Sequence, residues 1–290
     1  MNAFTIKDLE NLTGIKAHTI RIWEQRYHFL KPQRTQTNIR YYSNDELKTL
    51  LNIALLNKYG FKISHIDRMT ESEIRDRINT LTDAQAQQER VINDLVQAMV
   101  DLDLDRIEKS LNGFISTKGM ERTITQIIFP FLEKIGILWL TGHINPAQEH
   151  LVTNLIRQKL IVAIDSVHTS IRVDKCILFF LPEGEHHELG LLFVHYLMKS
   201  RGVQTIYLGA NVPIRDLGFI LQFKKPDLIF SHLTATTSSF QFDRFLTQLS
   251  QHSANIPVII SGQLAKNYKK SPPEGITFKQ SLQEVMEAIG

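Results

Sequence analysis

A single cysteine, Cys176, is all the thiol in this chain of 290 residues. One thiol can neither close an internal disulfide nor build a thiolate metal cage, so a disulfide framework and a cysteine-based metal sensor are both excluded. Reducing, cytoplasmic surroundings fit that composition. No apolar run approaches the roughly 20 residues that span a bilayer, and no basic-then-apolar leader opens the sequence. No membrane partner is therefore expected. Internal repeats and low-complexity tracts are also missing. What is present is 43% apolar and 22% charged, as in globular proteins, and the length exceeds that of one ordinary core.

The net charge of +3 is small but unevenly spread. Residues 1–70 hold eleven Lys/Arg against six Asp/Glu, and residues 71–110 hold five against ten, so a basic head precedes an acidic segment. That head points to a polyanionic partner. Hydrophobic periodicity divides the chain into three. Residues 1–75 read as short helices with one non-helical insertion. Thr5 with Asp8 starts a helix, Gly14 turns it, and a second helix covers about 17–27. Residues 30–42 suit a small β-wing, and Ser43 with Glu46 caps the apolar stripe of a third helix that stops at Gly60. Residues 76–170 are helical nearly throughout. Loop signals at Asn112-Gly113, Lys118-Gly119 and Thr141-Gly142 divide this stretch into about four helices, with a kink expected at Pro130. In residues 171–290, β-type runs at 176–181, 203–208, 227–233 and 257–261 alternate with helical stretches. This alternation predicts a doubly wound parallel sheet. The expected fold is thus multidomain α plus α/β: a winged helix-turn-helix, a four-helix bundle and a Rossmann-like domain.

On the second helix, His18, Thr19, Arg21, Gln25 and Arg26 can reach base edges or phosphates in a major groove. On the wing, Lys31, Arg34, Arg40, Tyr41 and Tyr42 suit the sugar–phosphate backbone. Ile20 and Trp23 read as core. The strings Thr5-Ile6-Lys7-Asp8-Leu9, Thr19-Ile20-Arg21-Ile22-Trp23-Glu24-Gln25-Arg26-Tyr27 and Arg40-Tyr41-Tyr42-Ser43 closely resemble the MerR-family DNA-binding domain. The resemblance implies a self-associating reader, dimer or tetramer, of a double-stranded, roughly palindromic operator.

The third segment holds Gly184-Glu185-His186-His187-Glu188-Leu189-Gly190 directly after the apolar run 176–181. A zinc-protease reading of His187-Glu188 fails, because Leu191 stands where the second histidine is needed. Glu185-x-His187-x-x-Gly190 resembles the corrinoid motif of methionine synthase and its relatives, usually Asp-x-His-x-x-Gly. The resemblance implies that His187 ligates cobalt from below, that Glu185 orients its ring, and that Gly190 permits close approach. Ser231 and Leu233 match the family's Ser-x-Leu, which contacts the cofactor's nucleotide tail. Ser261-Gly262 stands where that family has Gly-Gly. Trp139, followed after nine residues by Glu149-His150, resembles the helical signature of light-responsive regulators of the CarH/LitR type, where these residues flank the upper axial face. Without the corrinoid motif, the plain reading would make Trp139 bundle core.

The resemblances together imply a transcriptional regulator, a repressor by analogy, that senses adenosylcobalamin and, through its photolabile cobalt–carbon bond, light. Methylcobalamin or another cobalamin is compatible with the same motifs. Leu140 replaces a histidine that captures cobalt in some relatives, and His143 and His150 are substitutes on paper. Ser261 and Leu140 keep open an alternative, a MerR-type regulator of the same architecture that is independent of cobalamin. A corrinoid enzyme would need a substrate-activating barrel for which residues 1–170 leave no room, so no catalysis is expected.

Overall fold

Thr5 begins the first helix through a capping box: its hydroxyl accepts from the Asp8 amide, and the Asp8 carboxylate accepts from the Thr5 amide. In this computed structural model, residues 4–140, 144–234, 240–253 and 255–289 are described, the Leu140 side chain excepted. Helix α1 (Ile6–Thr13) ends at Gly14, whose φ of 75° forms the left-handed cap. Helix α2 (Ala17–Arg26) buries Ile20 and Trp23 and leaves its other face to solvent. The wing is a two-stranded antiparallel ribbon, β1 (Gln33–Arg34) with β2 (Arg40–Tyr41), turned through Asn38 at φ 62°. Ser43 and Glu46 form the second capping box, opening α3 (Asn44–Lys58), whose leucines are buried. Two backbone hydrogen bonds between Phe4 and Tyr42 tie the start of the chain to the wing.

Helices α4 (Ile63–Ile66) and α5 (Glu71–Asn79) lead into the helical stretch: α6 (Ala84–Asp101), α7 (Leu104–Lys118), α8 (Met120–Thr123), α9 (Phe129–Leu140) and α10 (Pro146–Asp165). One local expectation is corrected. Asn112-Gly113 makes no loop; it lies inside α7, where buried Ile107 and Leu111 outweigh the roughly 1 kcal/mol that a mid-helix glycine costs. The break falls earlier, at Leu102, in the left-handed region at φ 59°. Pro130 is preceded by a π-helical turn, Ile124–Ile128, which joins α8 to α9 and absorbs the missing amide.

The chain divides into two compact units, Met1–Ile156 and Arg157–Gly290, with the boundary inside α10. In the first, the head packs on the helical stretch. Lys134 of α9 reaches the Leu12 carbonyl at the end of α1 and the Asn93 amide oxygen of α6, both at 3.0 Å. Burial holds this ammonium below its ordinary pKa.

The second unit is a parallel five-stranded sheet in the order β4-β3-β5-β6-β7: β3 (Val173–Pro182), β4 (Val203–Val212), β5 (Leu228–His232), β6 (Val258–Ser261) and β7 (Ile276–Phe278). Between them run α11 (Leu189–Ser200), α12 (Ile214–Lys224), α13 (Phe242–His252) and α14 (Gln263–Asn267), and α15 (Leu282–Ile289) closes the chain. The doubly wound expectation is met, with β7 an addition: three residues give too short a pattern to read. Residues 177–181 are fully buried, as parallel strands covered on both faces require.

Candidate functional site: a buried carboxylate, an exposed imidazole and a basic head

The strand order reverses between β3 and β5, and in open α/β sheets ligands bind at the carboxyl ends of the strands at that reversal. The loop leaving β3 there carries Glu185 and His187. Glu185 is completely buried. Its Oε1 accepts from the His187 amide at 2.9 Å and lies 2.6 Å from His187 Nδ1, while Oε2 accepts from the Thr234 amide at 2.9 Å. The His187 side chain is 57% exposed. The carboxylate thus grips Nδ1 and sets Nε2 on the opposite edge of the ring. This is how a metal-ligating histidine is oriented and made more basic by its second neighbour.

Among the described residues no three His, Cys, Asp or Glu side chains converge on one point. A corrin would carry its own ring-nitrogen ligands and would need one further base from the protein, which an oriented imidazole at His187 fits. Beside the pair, Glu188 holds the start of α11. Its carboxylate meets the Arg157 guanidinium at 2.8 Å and accepts from the Tyr207 hydroxyl at 3.1 Å. Burial raises the Tyr207 phenol far above its ordinary value.

The residues expected to meet a nucleotide tail gather around a side chain that the motif left unspecified, His232. Ser231 and Leu233 are completely buried, and the Ser231 hydroxyl donates to the Phe180 carbonyl at 2.8 Å. Ser261 is buried too, its hydroxyl 2.8 Å from His232 Nδ1. A Cβ on Gly190 would stand 2.3 Å from His232 Cδ2, and one on Gly262 would stand 2.3 Å from the Leu233 carbonyl oxygen. Burial pushes the His232 imidazole down to about 4, so it is neutral at physiological pH. Thr234 and His232 are the contributors that motif reading missed. Only the polarity of Ser261, opposite the unspecified position, hinted at one of them.

In the helical unit Trp139 lies in the last turn of α9 with 48% of its surface exposed, so it is not bundle core. Glu149 and His150 lie in the first turn of α10, their side chains 3.4 Å apart and His150 exposed. Asn145 and Gln148 cap that turn. His143 lies outside the described residues.

The head presents His18, Arg21, Gln25 and Arg26 on the exposed face of α2, with Thr19 half-buried beside His18. Arg34 braces the wing turn through the Asn38 side-chain oxygen at 2.6 Å. Arg40 bridges to Glu24 of α2 at 3.1 Å and is one-third exposed; Tyr41 is half-buried and donates to Gln33. Tyr42 corrects the expectation of a DNA contact. It is completely buried, its hydroxyl donates to Glu24, and burial raises its phenol well above the usual range. It packs the wing against α2 and has no surface to offer DNA.

Comparison with known proteins bears on both halves. Residues 4–73 match the MerR HTH family regulatory protein model, and residues 91–163 match a B12 binding domain model. The chain is 27% identical over 274 residues to the HTH-type transcriptional repressor CarH of Myxococcus xanthus, covering 92% of this chain and 91% of that one. It is 26% identical over 284 residues to the HTH-type transcriptional repressor CarA of the same organism, covering 97% and 94%. Among solved structures, a monomethylamine corrinoid protein of Methanosarcina barkeri shares the fold, with a TM-score of 0.56 and 14% identity over 70% of this chain and 98% of that one. No helix among the described residues is long and apolar enough to cross a membrane. The chain thus joins a MerR-type HTH regulatory domain to a B12 binding domain.

Proposed function

We propose that the protein is a transcriptional repressor that binds double-stranded operator DNA through its winged head and binds a cobalamin, adenosylcobalamin in the first instance, through His187. The observation that carries this reading is the pair at the end of β3: a completely buried Glu185 gripping Nδ1 of an exposed imidazole at the sheet's switch point. His187 would supply the protein's base to cobalt, and Glu185 would hold its ring in place through Nδ1. Trp139, Glu149 and His150 are assigned to the upper axial group, as the B12 binding domain match over residues 91–163 and the exposure of Trp139 favour. When bound, adenosylcobalamin supplies a cobalt–carbon bond that light breaks, and response to light is part of the proposal. In the head, Arg21 and Arg26 meet DNA from α2 and Arg34 from the wing, with self-association supplying a second head.

Titration of the apoprotein with adenosylcobalamin in darkness tests the reading. The expected result is a coloured complex whose absorption shows imidazole coordination, lost in His187→Ala. A wild-type protein that stays colourless, with folding verified by circular dichroism, refutes it. A second reading, an oligomerising regulator independent of cobalamin, is favoured by one observation, the close packing around Ser261 and His232.

A further inference from the structure

The acidic segment carries a basic cavity. Residues 71–110 hold ten Asp/Glu against five Lys/Arg. Four of those five bases, Arg75, Arg90, Arg106 and Lys109, nevertheless line one cavity of 710 Å³, whereas Asp94 is the one acid of the ten that does so. Lys118, in the last turn of α7, adds a fifth cation. The cavity lies within the first compact unit, walled by α5, α6 and α7 with Asn52 from α3. Asp94 is already engaged: its Oδ1 accepts from Arg106 Nε at 2.9 Å and its Oδ2 from the Ser110 hydroxyl at 2.8 Å. Arg90 meets only the neutral Asn79 side-chain oxygen, at 2.9 Å, and Arg75 the Glu71 carbonyl, at 3.4 Å. Among the described residues no carboxylate pairs with Arg75, Arg90, Lys109 or Lys118. Cations gathered in a hollow repel one another, focus the local field and draw in an anion. Guanidinium forks match phosphate oxygens two at a time. Val91 and Phe114 add half-buried apolar surface to the same cavity, whose volume suits a small organic molecule better than a bare ion. No side chain of α2 or the wing takes part, so the cluster does not extend the face assigned to DNA.

We propose that this cavity binds a small organic phosphate of the size of a nucleoside diphosphate, with Arg75, Arg90, Lys109 and Lys118 as its anion contacts. The site uses no residue assigned to the corrinoid and does not depend on that reading. One of its walls belongs to α3 of the head and the others to α5, α6 and α7, so an occupant would tie the head to the helical stretch.

ADP serves as the probe, titrated by calorimetry into the full chain in metal-free buffer at two salt concentrations, with adenosine as the uncharged control. Wild type is expected to bind ADP, more weakly at the higher salt, and not to bind adenosine. Arg75→Gln/Lys109→Gln changes two exposed side chains and should cost about tenfold or more in ADP affinity. Arg21→Ala, on α2, should leave ADP affinity at the wild-type value. Thermal unfolding gives a second readout: ADP should raise Tm in wild type and raise it less in the double variant. The proposal is overturned if wild type shows no ADP binding at about 1 mM, or if the double variant binds ADP as tightly as wild type. Loss of ADP binding in Arg21→Ala would put the anion on the DNA-reading face and sink it equally. A double variant that keeps its ADP affinity but loses operator affinity would give these cations to DNA instead.

Discussion

Glu185 shows how one buried side chain can decide what a neighbour does. Removed from water and accepting three hydrogen bonds from the His187 amide, the His187 ring and the Thr234 amide, it fixes one ring orientation. Glu185→Gln keeps the size and loses the charge, so corrinoid affinity should fall about tenfold to a hundredfold while the fold survives, as loss of outer-shell partners does at metal sites. Isothermal titration of wild type and variant against adenosylcobalamin measures this; equal affinities would show that the ring needs no orienting carboxylate. His195 makes a separate prediction. Burial pushes its imidazole down to about 4; its Nε2 lies 3.0 Å from Thr205 Oγ1, and Nδ1 has no partner among the described residues. A folded pKa below the ordinary 6.5 means that the unfolded chain binds the proton first as pH falls. Stability is therefore full above pH 6.5 and declines toward pH 4, by about 3 kcal/mol for this residue. Urea unfolding from pH 7 to pH 4.5 should show that decline, and His195→Leu should flatten it; an unchanged slope would assign the acid sensitivity elsewhere. The motif residues could be read from sequence because chemistry restricts them to few types. The role of His232 could not, since it depends on which side chain falls against Gly190, a long-range contact with no local pattern.

At the scale of elements, capping boxes and periodicity carry the most information. Thr5/Asp8 and Ser43/Glu46 each specify a helix start, and each does so in the structure. The misreadings have physical causes. A glycine signals a turn only where nothing buried holds the helix together, and Ile107 and Leu111 hold α7 through Gly113. Adjacent tyrosines in the wing look alike in sequence, but neighbours on a strand face opposite sides, so Tyr41 stays partly exposed while Tyr42 is buried on Glu24. This yields a contrast within one element pair. Arg21→Ala on the exposed face of α2 should weaken DNA binding about tenfold and reduce its salt dependence. Tyr42→Phe should leave DNA affinity near wild type and cost about 1–2 kcal/mol of head stability through the lost hydrogen bond to a charged acceptor. Fluorescence anisotropy on a duplex recovered by binding selection, at two salt concentrations, separates the two. Equal losses would mean that the wing tyrosine reads DNA after all.

At the scale of the whole molecule, a regulator needs its two binding events to share free energy. Residues 1–70 carry a net charge of +5, eleven basic against six acidic, so the head alone should hold DNA weakly and in a salt-dependent way. Inside the helical unit, Lys134 joins the end of α1, one turn before α2, to α9, the helix that carries Trp139 in its last turn. A change at the exposed end of α9 therefore has a packed route to the head. If adenosylcobalamin favours the DNA-competent state or its assembly, it must raise operator affinity in darkness by some factor, and operator DNA must raise cofactor affinity by that same factor. Assembly of several heads would add avidity without new base contacts. Coupling of this kind is typically worth about 5- to 150-fold. Operator binding measured with and without adenosylcobalamin in darkness, and cofactor binding measured with and without operator, should give one number twice. Green illumination should bring that number toward one. His187→Ala should do the same while leaving cofactor-free DNA affinity intact, because His187 lies outside the winged head, residues 4–73. Dark operator affinity that does not respond to adenosylcobalamin, in a protein shown to bind it, would separate cofactor binding from regulation and leave the head answering to another signal.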